Sequence, residues 1–284
     1  MYNWFFVLLF RSSKSQLKSS APWGVIGSFG IEECYDTNNP KRGVALIINQ
    51  VNFSSMEKRE GSNKDRDDMS SVLQRIGFDV RVFDDCNRKQ LLSGLQEIAN
   101  EDHTKNDCLV IVVMTHGKEN NLLYASDKSY EVNRLWEPFI GGACPSLIGK
   151  PKLFFVQACR GKKLDQGVQL VRMSVDSIDV QSSPESMRYV IPTMADLLVM
   201  YSTYDGHYSW RNTSKGSWFI QSLCIELEAS AHCRELLHIL TAVARRVAYQ
   251  YQSNVPDSAK LDAKKQMPCT VSMLTKLLYF TPKK

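Results

Sequence analysis

At 284 residues with 43% apolar side chains, the chain carries enough hydrophobic material for one large α/β domain or two small ones, which excludes a disordered or fibrous protein. Its net charge of +5 is spread along the chain, with short basic runs at Arg245-Arg246 and Lys264-Lys265 but no long basic tract interleaved with aromatics, so nucleic acid is not an expected partner. Eight cysteines without a CxxC pair, several of them (Cys108, Cys224, Cys269) inside apolar stretches, predict buried free thiols in a reducing compartment, the cytoplasm.

Residues 1–10 are nearly all apolar or aromatic and are followed by Arg11, Lys14 and Lys18, the reverse of the charge order of a secretory signal. They are also fewer than the roughly 20 residues that span a bilayer. An unprocessed extension is expected; a membrane-surface role and a misassigned start are the other readings. Residues 43–49 then read as a buried strand. Ser62 with Asp65 three residues on resembles a capping box, and Met69, Val72, Leu73 and Ile76 keep helical spacing up to Gly77. Phe78, Val80 and Val82 alternate as a half-buried strand, and Asn87 starts a helix with Leu91, Leu95 and Ile98 on one face. Residues 108–114 predict the next strand, Val132, Leu135, Trp136 and Phe139 a helical stripe, and residues 153–157 a strand that stops at Cys159. From 162 to 188 no period is visible, too long a patternless stretch for a compact domain unless it serves a function. Residues 196–202 predict a strand. Two helices come next, one with Ile220, Leu223, Cys224 and Leu227, the other with Leu236, Leu240, Val243 and Val247. An apolar, β-leaning segment at 270–280 closes the chain. Strands alternating with helices predict an α/β fold on a mostly parallel central sheet.

In such a sheet the functional crevice lies outside the carboxyl ends of the strands. His116 and Cys159 fall just past two predicted strand ends, and Arg59 and Arg211 in the loops after two others, so all four converge on one rim. A thiol with a pKa of about 8.5 is a modest nucleophile, and a nearby histidine that takes its proton is what a cysteine protease requires. Gln157-Ala158-Cys159-Arg160-Gly161 matches the active-site pentapeptide of the caspases, and Thr115-His116-Gly117 lies 43 residues upstream of the cysteine. Tyr208-Ser209-Trp210-Arg211-Asn212 and Gly216-Ser217-Trp218-Phe219-Ile220-Gln221-Ser222 come after them in the family's order. From about residue 41 to 280 the sequence resembles an effector-type caspase with a short prodomain.

That resemblance implies a caspase-like fold, a mostly parallel central sheet flanked by helices, with large and small subunits cut from one chain. It implies that residues 1–40 are a short extension, 41–176 the large-subunit region, 177–188 the remaining linker and 189–284 the small-subunit region. By the same resemblance Cys159 is the nucleophile and His116 its base, oriented by the Glu57 carbonyl, and the backbone N–H groups of Gly117 and Cys159 hold the oxyanion. The family's aspartate pocket maps onto Arg59, Arg211 and Gln157, with Ser209; guanidinium groups recognise a carboxylate by their two-pronged geometry. Tyr208, Trp210 and Trp218 match the walls of the subsites further from the cut, and Asn212 joins the substrate-binding positions. At residues 253–257 (Ser-Asn-Val-Pro-Asp) the family's usual wall aromatics are missing, which leaves the outermost preference open. Asp176 is the favoured processing site and Asp179 the second. The partners implied are proteins with exposed aspartate sites, a second copy of the cut chain, an upstream activating caspase and inhibitor-of-apoptosis proteins. No metal or organic cofactor is implied, because thiolate, imidazole and backbone donors suffice. The alternatives are a caspase-like regulatory partner that does not cut, against which the intact Cys159, His116, Arg59 and Arg211 argue, and an initiator, against which the absence of a recruitment domain argues.

Overall fold

The computed structural model describes residues 32–167 and 192–283. The chain divides into two units, Met1–Glu32 and Glu33–Lys284, and the second holds all the described strands and helices. Residues 1–10, Asp176 and Asp179 lie outside the described residues.

In chain order the second unit runs β1 (Val44–Asn49), α1 (Ser62–Ile76), β2 (Asp79–Asp84), α2 (Arg88–Ala99), β3 (Leu109–Met114), β4 (Gly117–Lys118), β5 (Leu122–Tyr124) and β6 (Ser129–Glu131). A series of 3-10 turns leads to β7 (Lys152–Gln157), β8 (Leu197–Tyr201), β9 (Arg211–Asn212), β10 (Gly216–Ser217), α3 (Trp218–Ser230), α4 (Leu236–Gln250) and β11 (Cys269–Ser272). The central sheet has the order β11-β8-β7-β3-β1-β2. All its pairs are parallel except β11 with β8. This is the expected α/β architecture.

Its apolar runs are continuous because the sheet is covered on both faces. Along β1 and β3 the side chains alternate between two cores. Ala45, Ile47, Val110, Val112 and Met114 pack with α1, α3 and α4, whereas Val44, Leu46, Ile48, Leu109, Ile111 and Val113 pack with α2 and the 3-10 turns. The polar side chains are thereby left to the strand ends.

Three local expectations are corrected. Val132 to Phe139 forms two 3-10 turns, Val132–Leu135 and Glu137–Phe139, not an α-helix. Pro138 has no N–H to give to an α-helical bond, and the buried faces of Val132, Leu135 and Phe139 are satisfied by short turns. Ser62 is not a cap: the cap position is Gly61, in the left-handed region at φ 81°, and the Ser62 hydroxyl is buried against Arg59. The terminal strand is shorter than residues 270–280, because Leu278 and Phe280 leave the edge to enter the core beside α1 and α4. Cys269 on that strand is only half-buried, while Cys108 and Cys224 are buried as expected; all eight cysteines are free.

Candidate active site

The carboxyl ends of β1, β3, β7 and β8 lie side by side and deliver one group of residues. The ends are locked in register: Gln50 N–H donates to Met114 O at 2.9 Å, Thr115 N–H to Gln157 O at 3.1 Å and Ser202 N–H to Val156 O at 2.9 Å. Cys159 comes two residues after β7, and His116 two residues after β3.

His116 Nε2 lies 2.8 Å from the Glu57 carbonyl oxygen. A carbonyl can only accept, so Nε2 carries the hydrogen and the lone pair of the neutral ring sits on Nδ1. The Phe53 ring leans on the imidazole, with centroids 4.6 Å apart. Burial holds the His116 pKa below its ordinary value, and the charges of Arg59 and Arg211 push the same way. The Cys159 sulfur is held by Ser209, whose N–H donates to it at 3.4 Å and whose carbonyl oxygen lies 3.8 Å away. Burial raises the thiol pKa, against the Ser209 contact and the two arginines, which lower it. Thiol and imidazole are therefore both neutral at rest.

Gly117 starts β4, the first strand of a small antiparallel sheet, β4-β5-β6, that sequence patterning does not reveal. A Cβ at 117 would come within 2.1 Å of the Cys159 carbonyl oxygen, so only glycine lets the two backbones meet. Gly161 serves a similar close approach: a Cβ there would lie 2.2 Å from the Gly206 carbonyl oxygen.

Beside the thiol lies a group of polar side chains. Arg59 is 1% exposed; its Nη1 donates to Gln50 O at 3.0 Å and to Ser62 Oγ at 2.7 Å, while Nη2 is buried with no partner. Burial, then the neighbouring Arg211, lowers the Arg59 pKa to about 9. Gln157 Nε2 donates to Ser209 Oγ at 2.9 Å, and its Oε1 is also unpartnered. Ser209 Oγ donates in turn to Ser202 Oγ, which donates to Ala158 O. Arg211 enters from β9, with Nε bonded to Glu60 O at 2.7 Å.

The buried Arg59 Nη2 without a partner is a donor of the kind a carboxylate accepts from, whereas the unpartnered Gln157 Oε1 is itself an acceptor. The Cys159 thiol lies within reach of the charges of Arg59 and Arg211, and Gly117 meets the Cys159 backbone. A model of the Caspase domain matches residues 42–279. The chain belongs to the caspase family. It is 45% identical to caspase-1 of Spodoptera frugiperda over 251 residues, 88% of this chain and 82% of that protein. It is 41% identical to caspase drICE of Drosophila melanogaster, covering 88% of this chain and 73% of that one, and 40% identical to caspase-3 of Bos taurus, covering 88% of each. The crystal structure of caspase-1 from Spodoptera frugiperda superposes with a TM-score of 0.82 at 42% identity, over 89% of this chain and 95% of that one. This caspase is an effector-like, cysteine-type endopeptidase.

The remaining substrate-binding candidates of the caspase lie on and beside the β9–β10 hairpin. Trp210 and Trp218 stack at 5.7 Å, Tyr208 meets Trp210 edge-on at 5.2 Å, and Trp218 stacks on Tyr251 at 5.4 Å. Asn212 caps the β9–β10 turn, its side-chain oxygen accepting from Ser214 and Lys215 N–H, and is exposed. Sequence reading missed Tyr251, which the end of α4 places under Trp218, and Gln266, which accepts from Trp210 N–H at 2.6 Å and donates to Ser202 O at 2.8 Å. Only the polar character of Gln266 between Lys265 and Met267 hinted at it. Among the described residues no helix is long and apolar enough to cross a membrane.

Proposed function

We propose that this caspase cleaves proteins after aspartate and carries out the death programme of its cell as an effector. The observation that carries the reading is the buried, partnerless Nη2 of Arg59 beside the thiol and Arg211. The aspartate carboxylate takes the donors that Arg59, Arg211 and Gln157 leave free; Gln157 Nε2 has a second hydrogen beyond the one given to Ser209. An asparagine leaves the arginines unpaired and is rejected by roughly 10⁴-fold. His116 Nδ1 takes the Cys159 proton as sulfur attacks the scissile carbonyl carbon. The N–H groups of Gly117 and Cys159 hold the resulting oxyanion, a donor type contributing about 3 kcal/mol each. His116 returns the proton to the leaving amine, and water then hydrolyses the thioester with the same base. Tyr208, Trp210, Trp218 and Asn212 line the upstream subsites.

Activation is a cut after Asp176, with Asp179 as the second acceptor, separating the large-subunit region 41–176 from the small-subunit region 189–284. Two cut units pair along β11, an edge strand whose Thr270 to Ser272 are exposed. An upstream caspase makes the first cut, inhibitor-of-apoptosis proteins restrain the product, and eight free cysteines suit the cytosol.

The test is the fragment masses of purified wild type beside Cys159→Ala. Wild type that splits after Asp176 or Asp179 while the variant stays whole supports nucleophile, specificity and linker together. If both stay whole, and cutting the linker with another active caspase yields no activity on aspartate-ended peptides, the reading fails.

A further inference from the structure

The β9–β10 hairpin that carries Arg211 has only four residues in its two strands, too few to hold a charged side chain in place unaided. It is anchored from outside. Asp65, in the first turn of α1, is 1% exposed, and both of its oxygens accept from the Ser217 N–H, at 2.9 and 3.1 Å. Ser217 is the residue directly across the hairpin from Arg211. The hairpin is shaped around this carboxylate: Gly216 takes φ +90°, and a Cβ there would lie 2.2 Å from Asp65 Oδ1. Arg59 is fixed to the same turn of α1, because its Nη1 donates to Ser62 Oγ. One helical turn is thus the shared base of both arginines.

We propose that Asp65 is a positioning residue for the aspartate pocket: acting as a carboxylate, it ties the Arg211 hairpin to α1 and keeps Arg211 aligned with Arg59. The inference rests on the assignment of those two arginines to the substrate carboxylate. It differs from simple bracing, since a neutral acceptor would serve a single N–H equally well and would avoid burying a charge. The charge costs stability. Burial pushes the Asp65 carboxyl up to about 6, against the Ser217 side chain and N–H and the charges of Arg59 and Arg211. A folded pKa above the unfolded one means that stability falls as pH rises from about 4, where the unfolded carboxyl ionises, to about 6, where the folded one does. The groups facing it are Arg59 from the loop after β1, Arg211 from β9, Cys224 from α3 and Lys64 on its own helix. What the carboxylate gains in exchange is the field of two like charges: Arg211 depresses the Arg59 pKa and Asp65 raises it. A carboxylate kept at that cost serves the arginines, not the core.

The experiment measures kcat, KM and Tm of the processed enzyme on a tetrapeptide ending in aspartate, for wild type and Asp65→Asn, from about pH 5 to 8. The expected result at neutral pH is a KM raised about tenfold, the scale of one hydrogen bond to a charged group, with kcat within about twofold and Tm not lowered. Wild-type KM should also rise as pH falls through about 6, where Asp65 takes up its proton, and be flat in the variant. An unmoved KM in Asp65→Asn, or a loss confined to kcat, or a KM rise that merely tracks a lowered Tm, overturns the proposal. Should the variant not fold, a flat wild-type KM across the same interval overturns it and a rising one supports it. Wild type that does not cleave after aspartate overturns the pocket assignment and this inference together; wild type that does, beside an unchanged variant, overturns the inference alone.

Discussion

Two arginines, one at each end of β1, are equally buried and opposite in character. Arg42 precedes the strand and is 1% exposed, with its donors spent: Nη1 on Asp107 at 2.8 Å, Nε on Ile76 O at 3.3 Å, Nη2 on Thr281 O, and its face 5.4 Å from the Phe280 ring centroid. Arg59 comes after the strand, is also 1% exposed, and keeps Nη2 without a partner beside a second arginine. Desolvating a charge is expensive wherever it happens. At the amino end the expense is offset by an ion pair that closes the fold. At the carboxyl end it is left standing, and in the proposed function a substrate carboxylate offsets it. Pairing, not burial, separates Arg42 from Arg59.

Removing each arginine in turn should affect different properties of the enzyme. Arg59→Ala should lower kcat/KM on an aspartate peptide by about 10⁴-fold, the scale for a site that loses its polar match to the substrate. Its Tm should fall less than that of Arg42→Ala. Arg42→Ala should cost about 3 kcal/mol of stability, the low end for a broken buried pair because Lys283 still faces Asp107, and leave kcat/KM of the folded fraction unchanged. Activity assays beside thermal melts decide it: if Arg42→Ala loses activity without losing stability, the two ends are not distinct.

A smaller effect sharpens the site end. Because the imidazole sits below its ordinary value of about 6.5 and the thiol above its ordinary value of about 8.5, no thiolate–imidazolium pair stores the nucleophile in advance. As pH falls, the rate should hold through about 6.5 and drop only below it, when His116 protonates and can no longer take the thiol proton. Alkylation of resting Cys159 by iodoacetamide should likewise climb only above about pH 8.5. A plateau in alkylation near neutral pH would show the ion pair and reverse this account of the mechanism.

The two ends are not equally legible in the sequence. Each sheet strand that lines the site is an apolar run that gives way to a polar residue at or just after its end (Asn49, Thr115, Gln157, Ser202), so the ends of β1, β3, β7 and β8, with Cys159 and His116 just past two of them and Arg59 and Arg211 in the loops after the others, can be placed from the sequence alone. The amino end has no such signature. Arg42, Asp107 and Lys283 are separated by 65 and 176 residues in sequence, and each by itself reads as an ordinary surface charge. Asp65 reads as half of a capping box, since its spacing from Ser62 is right for one, yet its true partner, Ser217, lies 152 residues away. Tyr251 and Gln266 are hidden for the same reason: long-range partners leave no local pattern. Only short-range periodicity and strand ends announce themselves.

The smallest single effect tests whether the amino-end charges act as one unit. Lys283 Nζ reaches Asp107 Oδ2 at 2.5 Å and the carbonyl oxygens of Thr37 and Asn39 at 3.0 and 2.7 Å, and its side chain is 21% exposed. Partial solvation discounts the pair, so Lys283→Ala should cost about 1 kcal/mol on its own. Arg42 and Lys283 share Asp107, however, and after either loss the other cation still neutralises it. Removing both leaves a buried carboxylate whose remaining donor is the Asn39 N–H at 3.1 Å. The double variant should therefore lose more stability than the two singles summed, a coupling of about 1–3 kcal/mol read from chemical denaturation. At the other end the sign should invert: once Arg59 is gone the aspartate pocket is already broken, so adding Arg211→Ala costs less transition-state binding than it does in wild type. Equal signs at both ends would mean that paired and unpaired arginines obey the same rule, and the distinction drawn between them would fall.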